Sequence, residues 1–173
     1  MAGRIVVAGA LAALCVAVAA PAAVPAARVN LVALDAGVLV QLNAIRAGHG
    51  LVPLQTSALL TASAAQHSRE MATDGYFEHA SADGTVFWKR IARWYGWHGD
   101  RYWAVGENLL WSSPAVDAAA AVQLWMGSPD HRANILDPRW RQIGVSALRL
   151  PAAPGVYRGL EVTIITTDFG VRR

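Results

Sequence analysis

Three polar residues of the types that carry acid–base or metal chemistry stand where predicted elements end. His79 closes an aromatic loop, Glu107 lies between a glycine and an asparagine, and His131 follows a Ser-Pro-Asp turn. Histidine can act as acid, base or metal ligand near neutral pH, and glutamate can act as base or ligand. Two histidines and one glutamate could bind Zn²⁺ and leave its fourth position open. Spacing alone also fits three solvated or hydrogen-bonded loop residues.

Other candidates for chemistry depend on neighbours that the sequence does not specify. Ser68 and Ser128 would be nucleophiles only with a base in hydrogen-bond reach, and Ser128-Pro129 is also a turn signal. His67 and Glu70 stand three apart on a predicted helix, which fits a metal pair but better fits a hydrogen-bonded histidine at the core edge. The chain has no GxSxG, HExxH, CxxC or phosphate-loop motif.

Tryptophan is abundant, with 7 residues in the chain. Four of them lie between positions 88 and 103, in a stretch that also contains glycines. Large rings usually pack in the core, but such a cluster can also bind a sugar or a lipid. Trp97 and Trp103 are therefore candidate ligand contacts.

Length and composition exclude several classes of protein. The 173 residues suit one domain, and 54% of them are hydrophobic while 16% are charged. That balance excludes a disordered chain, which needs low hydrophobicity and high charge. The net charge is +3 and no run of like charges exceeds two residues, so no nucleic-acid partner is predicted.

The N-terminal segment predicts export. Residues 5–27 contain no charged or hydrogen-bonding side chain and follow Arg4, which is typical of a signal peptide with cleavage near 19–22. An uncleaved membrane anchor is the alternative, because the run is long enough to span a bilayer. We expect residues 1–27 to be signal peptide and tether, with no transmembrane segment after cleavage. Cys15, the only cysteine, would leave with them, so no disulfide is expected and the core must stabilise a monomer.

Helical periodicity comes first along the chain and strand-like segments come last, which predicts an α+β domain. A helix is expected over 34–47, a second from Thr56 or Ser57 to Gly75, a third within 85–95 and a fourth beginning at Ser113-Pro114. Extended segments are expected at 103–111, 143–150 and 156–169, the last two as an antiparallel pair.

A series of short blocks, in the right order, resembles bacterial CAP (SCP-like) domains, the family of cysteine-rich secretory, antigen 5 and pathogenesis-related proteins. The blocks are LNAIR (42–46), GLVPL (50–54), AQHSREMA (65–72), YFEHASADG (76–84), GENL (106–109), WMGSPDHRANIL (125–136), IGV (143–145) and TDFG (167–170). The resemblance spans residues 38–170. It implies an α-β-α sandwich with a small antiparallel sheet flanked by helices, and a protein secreted or held outside the cytoplasm, in the periplasm or cell wall.

The resemblance also implies a cleft with two histidines and two glutamates. His79 and Glu107 match one of each, with Asn108 and Ser128 in the same blocks as candidate ligand contacts. The second family glutamate is replaced here by Gly127-Ser128-Pro129 and the second histidine by Ile164-Ile165. His131 is our candidate for the vacant place in the cleft, and His79 and His131 are the candidate ligands of a divalent metal such as Zn²⁺.

Three functions remain open at this point, and whether the protein is an enzyme stays undecided. The first is a ligand- or lipid-binding module acting at the cell envelope on lipid, peptidoglycan or an envelope protein. The second is a metallohydrolase or peptidase using His79, Glu107 and His131. The third is a structural role in which Glu107 supports the surrounding loops.

Overall fold

The computed structural model describes residues 29–173. Helices α1–α5 span Val32–Gly48, Ala58–Asp74, Phe87–Ala92, Ala118–Gly127 and Pro129–Ile135, and strands β1–β5 span Val29–Asn30, Gln55–Thr56, Trp103–Ser112, Gln142–Leu150 and Val162–Arg172. The strands form one sheet. Neighbours in the order β1-β4-β5-β3 are antiparallel, and the short strand β2 pairs in parallel with β4. The predicted α+β class, an antiparallel sheet flanked by helices, is confirmed.

Helices cover both faces of the central strand. Every residue of β5 from Val162 to Val171 is buried, so its side chains pack alternately on the two sides of the sheet. Ile165 and Phe169 join a cluster with Trp125 of α4 and with α1 and α5. Ile164 joins a second cluster with Met71 of α2. This burial on both faces fits a strand rich in Val, Ile and Thr in which apolar residues do not alternate strictly with polar ones.

The second helix has the ends that the sequence predicts. The Ser57 hydroxyl accepts a hydrogen bond from the Leu60 amide at 3.5 Å, and Gly75 ends the helix at φ 74°. A left-handed residue at this position is easiest for glycine, which has no Cβ. The α2 helix therefore begins and ends where it can lie across β4 and β5.

Two predicted boundaries are wrong. The fourth helix begins at Ala118 and not at Ser113-Pro114, because the Asp117 carboxylate caps it by accepting from the Ala120 amide at 2.8 Å. The last strand begins at Val162, because Gly155, Arg158 and Gly159 all have positive φ and turn the chain before it. Residues 155–157 form a single 3₁₀ turn there.

The predicted signal peptide lies outside the described residues. Its cleavage near 19–22 therefore stays a prediction. The bounds of the predicted domain, 38–170, also stay a prediction. Among residues 29–173, no helix combines the length and the apolar character that crossing a membrane requires.

Candidate functional site

A cavity of about 580 Å³ opens beside β3, the outer strand of the sheet. The structure brings all three predicted residues, His79, Glu107 and His131, to its wall, together with Asn108 and Ser128. The other lining residues are Phe87, Val105, Gly106, Asp130, Asn134, Asp137, Arg139 and Trp140. Segments distant in sequence thus meet in one cleft.

Glu107 is the fixed point of this cleft. Its side chain is fully buried, and its Oε1 lies 2.8 Å from Nδ1 of His79. Its Oε2 accepts from Nη2 of Arg90, which is also fully buried. A carboxylate accepts only, so Nδ1 of His79 carries the hydrogen and Nε2 remains for a ligand. The His79 side chain is 53% exposed, so solvent or a ligand can reach it.

Arg90 of α3 fixes two parts of the site together. Besides Glu107, it donates from Nη1 to the carbonyl oxygen of His79 at 2.9 Å. Behind the loop, Nε2 of the buried His67 donates to the carbonyl of Glu78 at 2.9 Å. Burial lowers the pKa of His67, which keeps this ring neutral. His67 is therefore a support for the His79 loop and not part of the cavity wall.

The other wall of the cleft is joined to β3 by asparagines. Asn108 donates to the carbonyl of His131 at 3.1 Å, and Asn134 donates to the Asn108 side chain at 2.9 Å and to the carbonyl of Glu107 at 3.1 Å. These bonds hold α5 against the strand. Burial lowers the pKa of His131, and the nearby charge of His79 lowers it further, so a neutral His131 is favoured near pH 7.

The two candidate tryptophans lie outside the cavity. Trp97 is 64% exposed and bonds the carbonyl of Asp100, while half-buried Trp103 donates to the carbonyl of Tyr95 at 2.7 Å. The aromatic rings in the wall are Phe87 and Trp140 instead. Trp140 lies there because Nε1 donates to the carbonyl of Asn134 at 2.8 Å.

The residues of the cleft do not fit a three-ligand zinc centre. In the described part of the chain, no three His, Cys, Asp or Glu side chains are grouped so that they could share a metal ion. Both carboxylate oxygens of Glu107 are already bonded, one to His79 and one to Arg90. A metal held by His79 and His131 stays a prediction from the sequence and plays no part in the function proposed below.

A nucleophile paired with a base is also missing from the described residues. Ser68 is buried, and its hydroxyl is hydrogen-bonded to the Ser146 carbonyl and to the Thr166 hydroxyl, not to a cleft histidine. Ser128 lines the cavity, but no hydrogen bond within residues 29–173 joins it to His79 or His131. A hydrolase of the serine type therefore has no observation in its favour.

A second acid, Asp168, lies directly across the sheet from Glu107. The two residues are paired in the antiparallel register of β3 and β5. The carbonyl of Glu107 bonds Asn134 and so points away from β5, which makes this a non-hydrogen-bonded pair with Cα atoms about 4.5 Å apart. Asp168 is fully buried, and the polar side chains that act on its carboxyl group are those of Ser63, Glu107 and Arg90.

Asp168 is therefore held as a neutral acid. Burial raises its pKa well above the usual range, and the negative charge of Glu107 raises it further. Neither Asp168 nor Arg90 is among the site residues that the sequence predicts. The signal for Asp168 was a charged residue inside a Val/Ile/Thr strand, and the signal for Arg90 was a guanidinium within an aromatic helix.

Replacing Asp168 by asparagine should make the free energy of unfolding less dependent on pH, because an amide has no proton to release as the pH rises. A raised pKa means that the folded protein keeps a proton that the unfolded chain releases above pH of about 3.9. The free energy of unfolding of the parent should therefore fall more steeply than that of the variant as pH rises from that value toward the folded pKa. Asp35, whose pKa burial raises to about 6, contributes the same fall to both proteins. Urea unfolding between pH 4 and pH 8, of parent and variant, measures the difference, and parallel pH profiles would contradict a neutral Asp168.

Comparison with known proteins identifies the family. A profile of the CAP family, described as the cysteine-rich secretory protein family, matches residues 39–157. The chain belongs to the CAP family. Among relatives of this CAP domain, YkwD of Bacillus subtilis is 36% identical over 104 residues, which are 60% of this chain and 38% of YkwD. The Bacillus subtilis membrane protein YlbC is 32% identical over 107 residues, which are 62% of this chain and 29% of YlbC. The chain thus spans about a third of the length of these curated relatives.

Solved structures show the same fold. An extracellular protein of Bacillus anthracis that contains an SCP domain superimposes with a TM-score of 0.62 at 28% identity, over 82% of this chain and 41% of that one. An outer surface protein of Borrelia burgdorferi gives a TM-score of 0.65 at 17% identity, over 86% of this chain and 99% of that one. The second likeness is one of fold alone.

Proposed function

We propose that this CAP domain works outside the cytoplasm as a binding module, and that its cleft takes a polar ligand of the cell envelope. One observation carries the proposal: His79, half exposed, is held by the buried Glu107 and Arg90 at the wall of a cavity of about 580 Å³. A ring fixed on its inner nitrogen presents its other nitrogen to a ligand at little entropic cost.

The chemistry of the wall favours a polar ligand over an acyl chain. Nine of the thirteen lining residues have polar or charged side chains, namely His79, Glu107, Asn108, Ser128, Asp130, His131, Asn134, Asp137 and Arg139. Small-molecule pockets are usually lined mostly by apolar side chains with a few polar groups that fix orientation, so this wall has an unusually large share of polar side chains. Of the envelope components considered, peptidoglycan or a protein segment therefore suits the cleft better than a lipid tail.

An extracytoplasmic location is supported from two directions. The segment before residue 28 has the composition of a signal peptide. The Bacillus anthracis protein, which is 28% identical, is described as extracellular.

His79→Ala should weaken binding to purified peptidoglycan sacculi by about tenfold, because the cleft loses its oriented hydrogen-bonding nitrogen. The matched control is His98→Ala, which removes an exposed imidazole that is not part of the cavity wall. Co-sedimentation with sacculi measures binding, with phosphatidylglycerol vesicles run in parallel. Equal loss in both variants, or binding to vesicles and not to sacculi, would contradict the proposal.

A further inference from the structure

The outer edge of β3 is protected along part of its length. Odd-numbered residues of this strand direct their amide and carbonyl groups away from β5, because Tyr102 and Arg173 form a reciprocally bonded pair and pairs alternate along an antiparallel ladder. Two of the outward carbonyls have side-chain donors: Asn134 bonds that of Glu107 at 3.1 Å, and Trp125 bonds that of Leu109 at 2.9 Å. Proteins commonly cover sheet edges in this way, since bare edges pair with other chains.

Other outward groups of this edge, among them the amides of Leu109 and Trp111, also have no protein partner within residues 29–173, but those of Val105 and Glu107 are the ones that lie in the cavity wall. Val105 and Glu107 line the cavity, and within residues 29–173 no protein group bonds the outward amide or carbonyl of Val105 or the outward amide of Glu107. The Gly170 carbonyl, opposite Val105, is itself bonded to the Arg141 amide on the far side of β5. Three backbone groups at the two-residue repeat of a strand, about 6.8 Å, thus face the cavity.

We propose that the cleft binds an extended peptide as an additional strand on β3, paired with Val105 and the amide of Glu107. This deepens the proposed function and rests on it, since the ligand occupies the same cleft. A strand added here would form two bonds with Val105 and one with Glu107. The Glu107 carbonyl already accepts a hydrogen bond from Asn134, so the pairing between the added peptide and β3 ends at the Glu107 amide.

The walls of the cleft match the two faces of such a strand. A Cβ on Gly106 would lie 2.6 Å from Oδ1 of Asn134 and 2.9 Å from the Trp140 ring, so these two side chains cover one face of β3. Glu107, the next residue, points to the opposite face and bonds His79 there. Alternate side chains of the added peptide would therefore meet Asn134 and Trp140 on one side and His79 on the other.

The test uses the full chain and the peptide acetyl-Thr-Val-Thr-Val-Thr-amide. In ¹⁵N-resolved NMR titrations up to about 1 mM peptide, the amide signals of Val105 and Glu107 should shift, whereas that of Trp111, an outward residue beyond the cavity, should not. The same peptide methylated on its backbone nitrogens should bind about tenfold more weakly or not at all. Absence of shifts with the first peptide, or equal binding of both peptides, overturns the proposal.

Val105→Pro tests the protein side of the same pairing. Proline removes only an amide that points away from β5, so the β3–β5 ladder is preserved. We expect Val105→Pro to bind the peptide about tenfold more weakly than Val105→Ala, which also removes the valine side chain but keeps the amide. Equal affinities of the two variants contradict strand pairing, and the unmodified protein with the methylated peptide decides the matter if the proline variant fails to fold. If sacculi binding depends on His79 but the protein does not respond to the peptide, strand addition to β3 is overturned. The proposal that the domain is a binding module is then retained.

Discussion

Replacing Arg90 by methionine should lower the free energy of unfolding by about 3–5 kcal/mol, the range found when one partner of a buried ion pair is removed. Arg90 and Glu107 are both fully buried, so the variant leaves the Glu107 carboxylate without its cationic partner. Urea denaturation followed by tryptophan fluorescence measures the change.

The double variant Arg90→Met/Glu107→Gln separates the charge from the packing. Removing the second charge should recover part of the lost stability, because a neutral amide is less costly to bury than an unpaired carboxylate. Arg93→Met is the matched control, since Arg93 follows the same helix but is exposed, and its side chain donates to the Thr85 hydroxyl at 3.3 Å. A loss below about 1 kcal/mol for Arg90→Met, similar to that of an exposed arginine, would show that the pair is not buried as described.

The fold could be predicted from the sequence because its strongest signals are local. The capping serine at 57 and the glycine at 75 delimit α2, and the Val/Ile/Thr composition after residue 142 indicates strands. The fourth helix was misplaced by four residues because Ser113-Pro114 and Asp117 both resemble helix starts, and only the structure shows which one bonds an amide. Two helix-start signals of equal strength cannot be distinguished from sequence without knowing which of them caps a backbone amide.

Only part of the site could be predicted from the sequence. His79, Glu107 and His131 stand in recognisable blocks, and the structure places all three on one cavity. Arg90 and Asp168 could not be predicted because each acts through Glu107, which is distant in sequence. Arg90 lies 17 positions from Glu107 and reaches it from a helix packed on the sheet. Asp168 lies 61 positions away and is placed opposite Glu107 by the register of two strands. Periodicity reports which face of an element is apolar, but it does not report which residue of another element lies opposite.

Gly144 sets how closely α2 approaches the sheet, and Gly144→Ala should cost more than about 3 kcal/mol. An added Cβ would lie 2.0 Å from the carbonyl carbon of Leu60 and 2.1 Å from the amide nitrogen of Thr61. Both atoms belong to the backbone of α2, so no side-chain rotation relieves the overlap and the whole helix must move. Because His67 on α2 bonds the chain next to His79, that movement should also weaken sacculi binding.

Gly48→Ala is the control that isolates close packing from the general effect of replacing glycine. Gly48 is the last residue of α1, and a Cβ there meets no atom within 4 Å. Alanine favours helix over glycine, so this variant should gain roughly 0.5 kcal/mol while Gly144→Ala loses several. If the Gly144→Ala and Gly48→Ala variants had the same unfolding midpoint in urea, α2 would not be packed against Gly144 as closely as the structure shows. In that case α2 could not fix the loop that carries His79.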